Sequence, residues 1–252
     1  MRFDYPLDYQ QAQLRSLWKA AFGDTDAFLD IFFSTAYSPR RCRCAMEEDR
    51  IVAALYWFDI SWDGLPCAYI YAVATDPQCR GRGLCRALMA DTARVLTDSG
   101  YEGALLVPQD EGLSTMYAKM DYLPATEIRE EIWVAANRII DIRPIDAHAY
   151  AAGRISLLPN NSVIQEGENL TFLSQIASFY GGEGFLAAVS REPEHLRILE
   201  YLGDEKHLGS LIHALGHREA TVRTPGAGKA FAMYLPLSPQ CKCPKYFAFC
   251  FD

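Results

Sequence analysis

The chain is expected to fold as an α/β (α+β) protein with a mixed, mostly antiparallel central sheet flanked by helices. Three observations predict this. Residues 51–60 and 67–75 are β-branched and aromatic runs, and 42–47 sets Cys42 and Cys44 at alternating positions; joined by Glu48-Asp49-Arg50 and by the hairpin signal Asp63-Gly64, the three read as an antiparallel meander. Helical stripes precede and follow that meander. A buried strand at 104–107 comes after the helix 83–96, and the strands on either side of such a crossover run parallel.

The elements follow in order. Asp8 caps a helix whose Leu14, Leu17, Trp18, Ala21 and Phe22 form one stripe, ended by Gly23. A second helix starts at Thr25 and carries Phe28, Ile31 and Phe32 on one face. After the meander come the helix 83–96, with Leu84, Leu88, Val95 and Leu96 at helical spacing before Gly100, then the strand 104–107, a helix over 111–120 and a strand over 128–134. The second half echoes that order. Residues 145–158 and 170–180 read as helices, 184–190 and 196–202 as strands, and Leu208, Leu211, Ile212 and Leu215 as a helix. Residues 220–223, 230–235 and 246–251 read as closing strands. Two domains are expected, 1–134 and 135–252.

One stretch carries a strong functional signal. The strand 67–75 runs through Asp76-Pro77 into Arg80-Gly81-Arg82-Gly83 and straight into a helix. The first amides of a helix lack internal partners and the helix dipole adds positive charge, so such a turn holds phosphate oxygens. Glycines at 81 and 83 let an anion reach the amides, and Arg80 and Arg82 add charge-assisted contacts. A dinucleotide fingerprint starting at Gly81 fails, because Arg86 stands where its third glycine belongs. A phosphate loop at Gly226-Ala227-Gly228-Lys229 lacks its distant first glycine and continues with Ala230.

This stretch resembles the pyrophosphate-binding segment of the GNAT superfamily of acetyl-coenzyme A-dependent N-acetyltransferases, in which a strand of the type V-x-h-x-P leads into R/Q-x-x-G-x-G/A. Val73-Ala74-Thr75-Asp76-Pro77 and Arg80-Gly81-Arg82-Gly83-Leu84-Cys85 fit that pattern, with the small Cys85 in place of Gly or Ala. The resemblance implies a GNAT architecture over 1–134 and acetyl-coenzyme A as co-substrate. It places the backbone of Val73, Ala74 and Thr75 along the pantetheine, and Arg80, Gly81, Arg82, Gly83, Leu84 and Cys85 around the diphosphate. Ser114-Thr115-Met116-Tyr117-Ala118-Lys119-Met120-Asp121-Tyr122 is similar to the family's L-Y-x-K-x-G-F, which implies that Tyr117 protonates the departing coenzyme A. Met116, Asp121 and Tyr122 depart from that pattern, and Asp110 stands where Asn often contacts the cofactor. The loop after the first helices lines the family's acceptor pocket, which makes Phe32, Phe33 and Tyr37 candidates. The second half lacks any counterpart of 80–85 and reads as a degenerate GNAT-like domain. That arrangement looks like the tandem group that includes the enhanced-intracellular-survival and mycothiol-synthase-type acetyltransferases.

The chemistry can be sized. An alkylamine of pKa about 10.4 is free at about one part in 2,500 at pH 7, a cost of about 4.6 kcal/mol. Protonating a thiolate of pKa about 8.5 from a tyrosine of pKa about 10 is uphill by about 2 kcal/mol. No carboxylate lies between Cys67 and Thr75 to serve as base, so relay through water is expected, with the terminal carboxylate at Asp252 as another route. Tyr69, Tyr71 and Trp57 are candidates to face the amine through cation–π contact.

Composition narrows the partners. The 252 residues are 50% hydrophobic with a net charge of −8, which disfavours nucleic acid and favours an amine acceptor, either a small molecule or a peptide. No apolar run reaches membrane-spanning length and no secretory hydrophobic region opens the chain, so a cytoplasmic protein is expected. A homo-oligomer stays open. The eight cysteines include Cys42/Cys44 and Cys241/Cys243, which in principle could make a four-thiolate zinc site, but reduced thiols and no metal are the expectation. The alternatives to catalysis are a non-catalytic acyl-coenzyme A binding or sensing module and a nucleotide-phosphate binder. Asn160-Asn161-Ser162 is a loop that could turn into the cleft.

Overall fold

A computed structural model describes residues 1–138, 140–191 and 195–250. The chain forms two compact units, Met1–Leu123 with Met233–Lys242, and Pro124–Ala232 with Cys243–Asp252. Phe251 and Asp252 lie outside the described residues, so the candidate terminal carboxylate has no described position.

The first unit contains β1 (Arg2–Asp4), α1 (Gln11–Phe22), α2 (Asp26–Thr35), β2 (Cys42–Glu47), β3 (Arg50–Trp62), β4 (Leu65–Thr75), α3 (Leu84–Asp98), β5 (Gly103–Leu106) and α4 (Glu111–Ala118). Strands β1 to β4 pair antiparallel in sequence order, and β4 pairs parallel with β5, as the crossover requires. Asp63 and Gly64 both adopt positive φ (54° and 73°), the geometry that a two-residue hairpin demands. Thr25 caps α2 by accepting the Phe28 amide. Asp8 opens a short 3-10 turn, and α1 proper starts at Gln11.

The sheet is covered on both faces. Trp18 of α1 and Phe32 of α2 pack against each other, with ring centroids 4.6 Å apart, and against Tyr56 of β3 and Tyr71 of β4, at 5.1 to 6.0 Å. On the other face, Leu84, Leu88 and Leu96 of α3 and Tyr117 of α4 cover Leu55, Trp57 and Ile70. Strand alternation makes this separation, because Tyr56 and Trp57 are neighbours in sequence and must point oppositely.

The second unit contains β6 (Leu123–Val134, entered from the first unit), β7 (Arg143–Ile145), α5 (Ala147–Leu157), β8 (Ile164–Gln165), α6 (Gly167–Ile176), β9 (Ala177–Gly182), β10 (Phe185–Ser190), β11 (Arg197–Gly203), α7 (Leu208–Ala214), β12 (Glu219–Pro225) and β13 (Lys229–Pro236). Strands β9, β10 and β11 pair antiparallel, β11 pairs parallel with β12 across α7, and β12 pairs antiparallel with β6. This repeats the order antiparallel, antiparallel, crossover helix, parallel. Residues Met233–Pro236 of β13 fall in the first unit, where they pair with Leu106–Gly103 of β5.

Three expectations are corrected. The helix over 170–180 ends at Ile176, and Ala177–Gly182 is a strand paired along its whole length with β10. Residues 246–250 are not a ladder strand: among the described residues Tyr246 alone makes a bridge there, to Ser162. They are nonetheless buried, held by Val163 N–H to the Tyr246 carbonyl (2.9 Å) and by Gln165 Nε2 to the Phe249 carbonyl (2.6 Å). The loop at Asn160-Asn161-Ser162 serves that same tail. Asn161, at φ 61°, donates Nδ2–H to the Cys243 carbonyl (3.0 Å).

The second unit buries an ion pair. Arg154 of α5 binds Glu200 of β11 through Nε (2.6 Å) and through a second nitrogen (2.9 Å), and the Tyr150 hydroxyl donates to the same carboxylate (2.5 Å). Glu200 is 0% exposed. Removing one partner strands the other charge, so Glu200→Ala is expected to destabilise the chain by about 3–5 kcal/mol in urea unfolding. A loss under 1 kcal/mol would show that the pair is not holding α5 to the sheet.

Candidate functional site

The site is built where β4 meets α3. The parallel ladder between β4 and β5 covers Cys67–Tyr69 only, while β4 runs on to Thr75. Its pairing with β3 slips between Tyr71 and Ala74, which puts one extra residue in β4, and Ala72 takes φ 49° there. An alanine in the left-handed region costs about 1–2 kcal/mol, held by the pairing on either side. The bulge redirects Val73, Ala74 and Thr75 just beyond the point where β5 departs.

After Thr75 the chain turns tightly. Asp76 donates its N–H to the Val52 carbonyl (2.9 Å), and its carboxylate accepts the Gln78 amide (2.9 Å) and pairs with Arg50. The Gln78 amide and then Arg50 hold this carboxyl below the usual carboxylate range. A depressed folded pKa means that the contribution is present at neutral pH and lost as pH falls through the lowered value. Asp76→Ala is expected to cost about 1 kcal/mol at pH 7, as losing a cap does, with the difference from wild type disappearing in acid. Urea unfolding at both pH values checks this.

The turn itself is open. Gly81 and Gly83 have φ of 77° and 75°, and a Cβ built on either meets nothing within 4 Å. Steric fit inside the protein therefore does not require glycine; the left-handed backbone does, and the same turn leaves clear space in front of the helix. Gly83 is the N-cap of α3 and no side chain caps that end. Arg80 and Arg82 are exposed; Arg80 Nε–H donates to the Thr75 carbonyl (3.3 Å), and Arg82 pairs with Glu47. Leu84 is buried and anchors the helix start in the hydrophobic cluster, where Cys85 also packs. Burial raises the Cys85 thiol pKa, so this residue is a small neutral side chain turned inward.

Tyr117 lies in the same cluster, 6% exposed, with its ring 5.9 Å from that of Tyr122. Burial first, then the nearby Cys85, push its phenol well above the ordinary value. Its hydroxyl has no hydrogen-bond partner among the described residues. Asp110 is occupied as the N-cap of α4, accepting the Leu113 amide (2.7 Å), and Asp121 takes φ 66° where the resembling motif has glycine. Lys119 is exposed.

The aromatic candidates divide. Tyr69 and Tyr71 share the α1–α2 face with Phe32, Phe33 and Tyr37, whereas Trp57 lies on the α3 face and donates to the Tyr101 hydroxyl (3.4 Å). The cysteine pairs do not converge into a four-thiolate group. Cys42 neighbours Cys44, and Cys241 neighbours Cys67. Among the described residues no group of three or more His, Cys, Asp or Glu could hold a metal. Sequence reasoning missed the bulge at Ala72, the Glu47 partner of Arg82 and the cap made by Asp110. Of these, only the Asp before a helical run had a legible signal.

Residues 8–125 match an acetyltransferase (GNAT) domain. The match covers a little under half of the chain and includes the bulge, the glycine turn and Tyr117. A GCN5-related N-acetyltransferase from Kribbella flavida superposes with TM-score 0.72 at 16% identity, covering 92% of this chain and 70% of its own. Eis1 from Mycobacterium abscessus gives TM-score 0.68 at 12% identity, with 94% and 74% covered. A tandem GNAT protein from the clavulanic acid biosynthesis pathway gives 0.56 at 13%, with 95% and 100% covered. At these identities the likeness is one of fold: the chain has a mixed α/β sheet flanked by helices, like its GNAT neighbours. No curated protein matches in sequence. No helix among the described residues is long and apolar enough to cross a membrane.

Proposed function

We infer that the GNAT segment binds acetyl-coenzyme A at the 80–85 turn and transfers the acetyl group to a primary amine by direct attack, without a covalent enzyme intermediate. One observation carries this reading: an uncapped helix start behind two left-handed glycines, open to solvent and flanked by arginines. A diphosphate fits it by charge and by hydrogen bonding. The main-chain amides of Val73, Ala74 and Thr75 then hold the pantetheine as an added strand and polarise the thioester carbonyl. Arg80, Gly81, Arg82, Gly83, Leu84 and Cys85 cradle the diphosphate.

The amine nitrogen attacks the carbonyl carbon, the carbon–sulfur bond breaks, and the departing thiolate takes a proton from the Tyr117 hydroxyl. Burial keeps that phenol neutral and a persistent hydrogen-bond donor to the sulfur. It also makes it a weaker acid than an ordinary tyrosine, so the transfer is more uphill than the about 2 kcal/mol of the unperturbed pair. The amine proton leaves through water, since β4 carries no carboxylate. Tyr71, part-exposed, offers a ring face to a cationic small-molecule or peptide amine, while Tyr69, 2% exposed, backs that ring with its centroid 6.0 Å away.

The second half is read as a degenerate GNAT-like domain of a tandem protein. Its repeated strand order supports this, and its strand-to-helix turn is chemically closed to phosphate. Asp204 there accepts the Lys206 amide (3.0 Å), and Glu205 pairs with Arg129.

Thiol release from acetyl-coenzyme A is measured with a panel of an aminoglycoside, a polyamine, an amino acid and a peptide. Acceptor-dependent release matched by acetylated amine is expected. Binding without such release would assign a non-catalytic acyl-coenzyme A module instead, and ATP competing at comparable affinity would assign a nucleotide-phosphate site.

A further inference from the structure

Four proton-bearing side chains meet on the α1–α2 face of the first unit, across the sheet from α3. Cys42 and Cys44 alternate along β2, so they point to one face, and both are 0% exposed. Their sulfurs lie 3.8 Å apart. Tyr56 stands directly across the ladder from Cys42, is 3% exposed, and its buried hydroxyl has no hydrogen-bond partner among the described residues. Half-buried Tyr37 completes the group, its ring 6.2 Å from that of Tyr56. Buried polar groups are nearly always paired, so an orphan hydroxyl beside two thiols marks a place built for something more.

We propose that Cys42 and Cys44 form a two-thiolate site for a soft, thiophilic monovalent ion of the copper(I) type, with the Tyr56 hydroxyl donating a hydrogen bond to one bound sulfur. Thiolate sulfur is the ligand that selects such ions. With metal–sulfur bonds of about 2.3 Å, sulfurs 3.8 Å apart share a metal only at a bent angle, so the two side chains must rotate apart to give the near-linear arrangement of two-coordinate copper(I). Binding is a proton exchange: one Cu⁺ and two thiols give a dithiolate complex of charge −1 and two protons released to solvent, and no electron moves. The hydroxyls of Tyr56 and Tyr37 offset the remaining negative charge among the aromatic rings.

Zinc is disfavoured because its structural sites need four ligands, and among the described residues no third His, Cys, Asp or Glu joins the pair. The proposal is independent of acyl transfer.

The test is an anaerobic titration of the reduced protein with copper(I) against bathocuproine disulfonate. The wild type is expected to withhold one equivalent per chain from the chelator. Cys42→Ala with Cys44→Ala should lose that equivalent, and Cys67→Ala with Cys241→Ala should keep it. Tyr56→Phe removes only an unpartnered hydroxyl, so it should fold and bind about tenfold more weakly, as loss of an outer-shell partner does. X-ray absorption of the wild-type complex should show two sulfur neighbours, a readout that needs no variant. No withheld equivalent, an equivalent kept by the Cys42/Cys44 double variant, or nitrogen and oxygen neighbours would overturn the site. Unchanged affinity in Tyr56→Phe would overturn the role given to its hydroxyl.

Discussion

Replacing Gly83 with valine is expected to weaken acetyl-coenzyme A binding about 100-fold, or about 2.7 kcal/mol, while costing the fold only about 1–2 kcal/mol. The two effects come from different sources. At φ 75° a β-branched residue is strained whatever space surrounds it, so the helix start relaxes to another backbone conformation and its amides turn away from the anion. The fold loses little because no neighbour lies within 4 Å of the new Cβ. The ligand loses more, since the amides, the clear approach and the helix dipole act on it together. Calorimetry and urea unfolding on the same variant separate the two. An affinity loss no larger than the stability loss would mean that the turn serves only the chain's own path.

Tyr117→Phe is expected to lower kcat by about 100- to 10,000-fold, the usual range for removing a general acid, with the KM for acetyl-coenzyme A nearly unchanged. Stability should change little, because the hydroxyl has no partner among the described residues. The pH profile adds a signature. With its pKa raised by burial, Tyr117 stays protonated through the alkaline range, so the wild-type rate should climb as the amine loses its proton and should not fall from ionisation of the acid. A drop in rate between neutral pH and the ordinary tyrosine range, absent in the phenylalanine variant, would contradict the raised pKa, and a phenylalanine variant with unchanged kcat would contradict the acid role.

Much of the first unit was legible because its signals agree with one another. The strand 42–47 was readable from Cys42, Cys44 and Met46 at alternating positions, and the Asp63-Gly64 turn fixes the register of β3 against β4. The turn at 80–85 was readable because glycine is the residue that left-handed backbone favours. The bulge was not, because Ala72 takes the same kind of conformation without the residue that advertises it. β1 escaped notice as three residues whose strand character comes entirely from pairing with β2.

In the second unit, competing patterns misled. Leu170, Leu173, Ala177 and Tyr180 fit a helical stripe, yet Ala177, Phe179 and Gly181 are the buried residues of a two-residue alternation, and pairing with β10 decides in favour of the strand. The tail 246–250 reads as a strand because it is apolar throughout. Its backbone is satisfied instead by Val163, Gln165 and short local bonds, a solution that composition does not encode. The division of β13 between the units, with Met233–Pro236 against β5, follows from long-range pairing that no local window contains.

The most direct measurement is a calorimetric titration of the intact chain with acetyl-coenzyme A and, in parallel, with acetyl-pantetheine, which keeps the thioester and lacks the diphosphate. One site per chain for the first ligand, and at least about 100-fold weaker binding of the second, is the predicted result. No heat with acetyl-coenzyme A, or equal affinity for both ligands, would contradict it.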